Sequence, residues 1–186
     1  DEASKMKRNA LFLCACGAYN KDTTSATANL STAKALMNNG VDVNYKDEDG
    51  WTALFHAAGE GHLSVVEWLT SEECGAQVDI HDTENCTPLW VAAFNGRRNV
   101  VQYLLRIGAD ERVRAKPAGE PVQTPSLAAR RNRHPGIADL IDAETQLRAS
   151  DENRRKRQIA REMDAAEFKA SMREVISETE NMEIVI

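Results

Sequence analysis

The side chains that most often carry chemistry in proteins are few in this sequence and are scattered. Four cysteines and four histidines are spread over 186 residues. Cys14 and Cys16 stand two apart on a predicted helix and so point to different sides, whereas a structural zinc site needs pairings such as Cys-x-x-Cys. Cys74 and Cys86 add no such spacing. The sequence therefore predicts no metal site and no bound cofactor.

The histidines and glycines do not form a catalytic or phosphate-binding motif either. His62 and His134 occupy equivalent turn positions, where an imidazole more often satisfies backbone groups than acts as a base, and His56 and His81 stand alone. The segment GEGH at 59–62 is a turn between two predicted helices, whereas a phosphate-binding loop follows a strand. We therefore expect no catalysis and no small-molecule substrate.

The overall charge and hydropathy disfavour two further classes of partner. The net charge of -6 and the pI near 5.3 do not favour binding to nucleic acid or to an anionic membrane. The longest apolar run, LFLCAC at 11–16, is far shorter than the roughly 20 residues of a membrane-spanning helix. The partners expected are proteins, without membrane insertion.

The compartment is weakly specified. Few cysteines and no secreted-scaffold spacing favour a reducing compartment, so we expect the cytoplasm. The sequence opens with DEASKMKR and no initiating Met, which is typical of a processed mature form or of a fragment. An organelle reached by a targeting peptide that has been removed is the alternative.

The most regular feature of the sequence is an internal repeat. Thr52, Thr87 and Thr124 each open a similar apolar burst and lie 35 and 37 residues apart. A weaker copy precedes them, in NALFLCACG at 9–17 and TAKALMNNGVDVN at 32–44, with extra residues between its two helices. The pattern predicts two short antiparallel helices per unit, and such units bury their apolar faces only by stacking.

Each unit can be assigned helix by helix. In the second unit Thr52 is the predicted N-cap, residues 53–59 form a first helix, Gly61 breaks it, and Leu63–Leu69 form a second helix. Paired alanines keep the first helix thin, and Leu54 and Leu89 fill the space between neighbours. The segments at 40–50 and 75–85 predict projecting hairpin loops.

The segment DEDGWTALFHAAGEGHLSVVEWL resembles the ankyrin repeat, whose pattern is DxxGxTPLHxAAxxGHxxxVxxLLxxGA. Spacing, alanine pair, Gly-His step and terminal Gly-Ala agree together in two consecutive repeats. The histidine usual after TPL is replaced by Phe55, Trp90 and Leu127. The resemblance implies an all-α ankyrin-repeat solenoid of about four helix-turn-helix repeats with hairpin loops, followed by a long C-terminal helix.

The domain organisation follows from the repeats. We expect an N-terminal extension at 1–7, an ankyrin-repeat domain at 8–142 and a charged helical tail at 143–186. The repeats span about 8–44, 45–79, 80–113 and 114–142.

The resemblance also implies where partners bind, because ankyrin arrays present their hairpin tips and first helices on a concave face. Carried over position by position, the second repeat offers Glu48, Asp49, Trp51, Gly59 and Glu60. The third repeat offers Thr83, Glu84, Cys86, Phe94 and Asn95, and the fourth offers Gln123, Arg131 and Asn132. Trp51 and Phe94 are the sharpest candidates because large aromatics dominate interfaces; packing of either against neighbouring hairpins is the alternative.

Two further segments add candidate contacts. The insertion RVRAKPAGEPVQ at 112–123 brings together Arg112, Arg114 and Lys116, either as a basic finger for an acidic partner or as a solvated, mobile loop. Residues 143–178 lack Pro and Gly and predict one long helix. Phe168 and Met172 lie on one of its apolar stripes, and the helix folds back on the last repeat, docks on another protein or is disordered.

These features favour a non-catalytic protein-interaction module, in particular a scaffold or accessory subunit of a larger assembly. The alternative is a transient regulatory inhibitor or targeting subunit of an enzyme.

Overall fold

The computed structural model describes residues 34–35 and 40–183, with side chains up to Met163 except that of Ala160. The predicted N-terminal extension, nearly all of the first repeat, Cys14 and Cys16 lie outside the described residues. So do the side chains of Phe168 and Met172.

From residue 40 onward the described fold is helical, with no strand beyond one isolated bridge. Its helices are α1 (Ala53–Glu60), α2 (Leu63–Leu69), α3 (Pro88–Phe94), α4 (Arg98–Arg106), α5 (Pro125–Arg131) and α6 (Pro135–Glu183). Hairpins precede the first helix of each repeat: the first hairpin (40–51), the second hairpin (75–86) and the third hairpin (108–123).

Threonine and proline set the start of the first helices. Thr87 and Thr124 are N-caps whose hydroxyl oxygens accept the amides of Trp90 and Leu127, at 3.2 and 3.4 Å, and a proline follows each at the start of the helix. Thr52 takes the same extended backbone conformation but makes no capping bond. Its buried hydroxyl has no hydrogen-bond partner among the described residues. Thr52 therefore occupies the predicted N-cap position without forming a capping hydrogen bond.

The core runs through the stack as the alanine pairs predict. Ala57, Ala58, Ala92 and Ala93 are fully buried, which lets α1 and α3 pack closely. The main apolar cluster includes Leu54 and Leu89 from the first helices, Val65, Val66 and Leu69 from α2, Val100, Val101 and Leu104 from α4, and Ile137 and Ile141 from α6. Each repeat therefore completes the core of its neighbours.

The long helix begins eight residues earlier than the sequence analysis places it. α6 covers Pro135–Glu183, so the second helix of the fourth repeat and the tail are one helix. The expected start at residue 143 is wrong because no Pro or Gly follows Gly136 within the helix, and nothing in that stretch stops helix propagation. The contacts divide the chain into two units, Asp1–Glu144 and Thr145–Ile186.

Candidate protein-interaction surface

One aspartate organises the turn of each of the first two hairpins. Asp47 Oδ1 accepts the amides of Asp49 and Trp51, at 3.1 and 2.7 Å. Asp82 Oδ1 accepts the amides two and four residues further on, at 2.9 and 2.8 Å. A short carboxylate that satisfies two turn amides holds the hairpin tip in one conformation. The tips are therefore preorganised by their own sequence.

Side chains also join successive hairpins. Asn44 Oδ1 accepts the amide of Gln77 at 2.9 Å, and Asp79 Oδ1 accepts the amide of Asp110 at 2.9 Å. The two bonds occupy equivalent places in consecutive repeats. They fix the distance from one hairpin to the next.

A second set of bonds joins the ends of the first helices. The carbonyl of Gly59 accepts the side chains of Asn95 and Arg97, at 3.2 and 2.8 Å. The carbonyl of Phe94 accepts the side-chain amide of Asn132 in the same way. The amide groups of Asn95 and Asn132, both predicted to contact a partner, thus already join neighbouring repeats.

Aromatic rings pack beneath the hairpins. The Trp51 ring stacks on Phe55 with centroids 5.7 Å apart, and its indole nitrogen donates to Asp82 Oδ2 at 3.1 Å. Trp90 stacks on Phe94 with centroids 5.2 Å apart. Phe55 and Trp90 are buried in a second apolar cluster against which Trp51 packs. Trp51 therefore links two hairpins and is only half-buried, whereas Phe94 is 38% exposed.

His56, which stands alone in the sequence, has a partner in the structure. Its Nε2 lies 2.9 Å from Asp47 Oδ2, and its ring contacts that of Trp51 at 5.2 Å between centroids. The histidine thus braces the first hairpin from α1. The sequence alone does not reveal this pair, because the two residues are nine apart and belong to different elements.

Most of the predicted contact residues reach the surface. The exposed ones are Glu48, Asp49, Glu60, Thr83, Phe94, Asn95, Arg112, Arg114, Arg131 and Asn132, and Trp51 and Glu84 are half-buried. Leu127, which the sequence analysis did not select, is 42% exposed on α5. Leu127 aligns with Phe55 and Trp90 of the two preceding repeats. The absence of an aromatic ring at this position is the feature of the sequence that could have marked Leu127 as a candidate contact residue.

Three predicted contact residues are buried, which corrects their assignment: Gly59 inside α1, and the hairpin residues Cys86 and Gln123. Cys86 is 2% exposed and Gln123 is 3% exposed. Each directly precedes a capping threonine, where the hairpin closes over the apolar cluster, so the side chain points inward. Burial, followed by the charges of Asp82 and Glu84, raises the pKa of the Cys86 thiol to about 12. Cys86 is therefore a protonated core side chain at neutral pH.

Cys86 also lies next to two carboxylates that could be considered as a metal site. One ligand atom from each of Asp82, Glu84 and Cys86 falls within 4.8 Å of the others. Both Asp82 oxygens already accept hydrogen bonds, and Glu84 Oε1 accepts the amide of Ala118 at 2.9 Å. These bonds give the group a structural role in bracing the hairpins.

The inserted third hairpin is tied to the second one. Ala115 and Gln123 exchange backbone hydrogen bonds of 3.0 and 2.9 Å. Nearer the tip, the amide of Lys116 donates to the carbonyl of Glu84 at 2.8 Å, and the amide of Ala118 donates to its carboxylate. The basic side chains of this insertion therefore stand on a hydrogen-bonded turn.

Two of the predicted basic contact residues form ion pairs within the fold. Arg131 on α5 pairs with Glu120 of the third hairpin at 3.0 Å. Arg112 lies 3.5 Å from the buried carboxylate of Glu111. The first pair ties α5 to the third hairpin, and the second uses the charge of Arg112 within that hairpin.

The family of the chain is decided by comparison with known proteins. A family model described as ankyrin repeats, in three copies, matches residues 23–115, which is half of the chain. The chain is an ankyrin-repeat protein. The match ends at residue 115, yet α5 and the first turns of α6 repeat the same capped helix, turn and second helix. The ankyrin stack therefore includes the fourth repeat.

Several curated proteins share these ankyrin repeats. The chain is 36% identical over 81 residues to the 26S proteasome non-ATPase regulatory subunit 10 of Dictyostelium discoideum, covering 44% of this chain and 34% of that protein. It is 37% identical over 79 residues to leucine-rich repeat serine/threonine-protein kinase 1 of Caenorhabditis elegans, covering 38% of this chain and 3% of the kinase. It is 29% identical over 147 residues to the inactive serine/threonine-protein kinase TEX14 of Mus musculus, covering 73% of this chain and 10% of that protein.

The chain thus spans between 3% and 34% of the length of these relatives, and the two kinases match only in part. Ankyrin repeats generally mediate protein-protein interaction and are typically non-catalytic. None of the described helices is both long enough and apolar enough to cross a membrane.

Proposed function

We propose that this ankyrin-repeat protein is a non-catalytic scaffold or accessory subunit of a larger assembly. A partner protein binds along the concave surface, meaning the first helices α1, α3 and α5 with the hairpins that precede them, and α6 supplies a second contact. The observation that carries the proposal is a pair of exposed apolar side chains on consecutive first helices, Phe94 and Leu127.

These two side chains are well placed for binding. α3 and α5 pack directly on each other, Phe94 is supported from behind by the stacked Trp90 ring, and Leu127 stands one repeat further on. A large apolar side chain that is covered by a partner contributes about 1.5 to 3 kcal/mol when its burial is complete. A rigidly held aromatic group loses little conformational freedom on binding. Such a pair suits the apolar centre of an interface.

The long helix supports the second contact. Leu147, Ile159 and Met163 are exposed large apolar side chains on α6. Phe168 and Met172 stay predicted contacts on the same helix. The name of the Dictyostelium relative, 26S proteasome non-ATPase regulatory subunit 10, supports the role of an assembly subunit.

The test is the mass of the particle in which the protein travels. The chain is purified under gentle conditions from cells that express it, and the particle mass is measured for the wild type and for the double variant Phe94→Ser/Leu127→Ser. The matched control is Ile107→Ser, which removes a 39% exposed aliphatic side chain at the end of α4, outside the concave surface.

We expect a large stoichiometric particle for the wild type and the control, and its loss in the double variant. A particle near 20.6 kDa, the mass of the chain alone, would overturn the subunit role and favour a transient regulator. A large particle that survives the double substitution would show that the concave surface is not the binding site.

A further inference from the structure

A cavity of about 330 Å³ opens between the first and second hairpins. Two tryptophans, Trp51 and Trp90, and three acidic residues, Asp49, Asp82 and Glu84, are among the residues that line it. It lies on the concave surface and within the ankyrin unit. Its walls thus combine large aromatic side chains with carboxylates.

The electrostatics of the cavity favour a cation. The described residues that line it include neither Lys nor Arg. His56, the one basic side chain in the wall, is bonded to Asp47. The Asp49 carboxylate makes no hydrogen bond or ion pair to the described residues, and Glu84 uses one oxygen for the amide of Ala118. Negative charge is therefore available to a ligand.

A second, independent observation concerns Trp90. This residue is 6% exposed, lines the cavity, and has an indole N–H without a hydrogen-bond partner among the described residues. Buried polar groups are nearly always paired in native proteins, so an orphaned donor in a cavity wall needs an explanation. An acceptor brought by a bound segment, such as a peptide carbonyl, would supply the missing partner.

We propose that this cavity binds a basic side chain, Lys or Arg, of the protein that occupies the concave surface; this inference rests on the proposed function. Aromatic rings attract cations through their π faces, and carboxylates form charge-assisted hydrogen bonds with ammonium and guanidinium groups. An acidic side chain would meet like charge, and an apolar one would desolvate the carboxylates without compensation. The cavity therefore selects for positive charge.

The probe for the first experiment is N-acetyl-arginine methylamide, followed by the lysine equivalent. The neutral control is the citrulline analogue, which keeps the shape of arginine and lacks its charge. Indole N–H resonances of the full chain are recorded by NMR during titration. The sequence has three tryptophans, and Trp68 on α2, outside the cavity, is the internal reference.

We expect saturable shifts of the Trp51 and Trp90 indole resonances with arginine or lysine, weak binding in the millimolar range, and no saturation with citrulline. The variants Asp49→Asn and Glu84→Gln keep the side-chain shapes and should each weaken binding about two- to fivefold. The matched control Glu48→Gln removes an exposed neighbouring carboxylate that does not line the cavity and should change nothing. Unfolding midpoints of all three variants check that the fold is retained.

Equal binding of citrulline, the absence of saturable shifts, or unchanged affinity in both cavity variants would overturn the inference. The particle-mass assay separates this failure from that of the proposed function. If Phe94→Ser/Leu127→Ser releases the partner while Asp49→Asn/Glu84→Gln loses no more of it than the wild type when the particle is diluted, the concave surface binds the partner and the cavity does not bind its basic side chain. If neither double variant releases the partner, the proposed function fails, and the titration still decides the chemistry of the cavity.

Discussion

At the scale of single residues, Arg133 adopts a backbone conformation that the preceding repeats assign to glycine. Its φ is +66°, and Gly61 and Gly96 have φ values of +85° and +74° at the equivalent turns. A side chain in this left-handed region costs about 1 to 2 kcal/mol. The fourth repeat therefore carries local strain that the second and third repeats avoid.

We expect Arg133→Gly to raise the free energy of unfolding by about 0.5 to 1 kcal/mol, after the larger entropy of glycine in the unfolded chain is subtracted. Urea unfolding with an unchanged m-value is the measurement. Arg133→Ala is the matched control because it removes the side-chain charge and keeps the strained φ. A control variant that stabilises as much as Arg133→Gly would refute the explanation by strain.

Cys86 gives a second prediction at this scale. With a pKa near 12, its thiolate fraction at pH 8 is far below that of an ordinary cysteine, whose pKa is about 8.5. Iodoacetamide should label Cys86 of the folded protein at least about 100-fold more slowly than in urea. Peptide mass mapping follows the rate, and a folded-state rate equal to the rate in urea would contradict the burial of this side chain.

At the scale of elements, one polar network closes the fourth repeat. Ser126 stands where the earlier repeats have Leu54 and Leu89, and its hydroxyl donates to Asp142 on α6. Arg130 donates to the other Asp142 oxygen at 2.7 Å. Burial acts to raise the pKa of Asp142, but the hydrogen bonds from Ser126 and Arg130 outweigh it and hold the pKa below its usual value. The network ties α5 to α6.

This network makes stability depend on pH. Because the folded-state pKa of Asp142 lies below the unfolded value of about 3.9, its contribution is present above pH 4 and is lost as the pH falls through the folded-state pKa. Asp142→Asn should lower the unfolding midpoint modestly at pH 7, since the side chain is 42% exposed, and the difference should shrink as the pH falls below about 4. Asp139→Asn, at a more exposed partner of Arg130, is the control. A difference that persists unchanged at pH 2 would exclude this linkage.

Some features of the helices and hairpins can be predicted from the sequence, and others cannot. The threonine spacing and the alanine pairs predict α1 to α5 and their core, because both depend on local pattern and repeat period. Whether Cys86, Gln123 and Trp51 face a partner or the interior depends on how one hairpin packs on the next, which no local pattern records. The continuation of α6 from the fourth repeat into the tail could not be predicted, because no Pro or Gly marks the end of that repeat.

At the scale of the whole molecule, the third repeat lies between neighbours on both sides, since α3 packs on both α1 and α5. In a stacked array, stability is shared through such interfaces. Leu104 is fully buried in α4, and Leu104→Ala should cost about 2 to 5 kcal/mol. Hydrogen exchange of the variant should show reduced protection across the described repeats together. Loss confined to α3 and α4 would show that the repeats unfold independently.

The recurring bonds between repeats also have a direction. In the bonds between successive hairpins the later repeat donates and the earlier one accepts: Gln77 donates to Asn44, and Asp110 donates to Asp79. The bonds between the ends of the first helices have the same direction, from Asn95 to Gly59 and from Asn132 to Phe94. The stack is in this sense a head-to-tail polymer with two chemically different ends. A further module of the same design inserted at either of these two junctions would meet the same acceptors, whereas a module joined in the reverse sense would set these acceptors against acceptors.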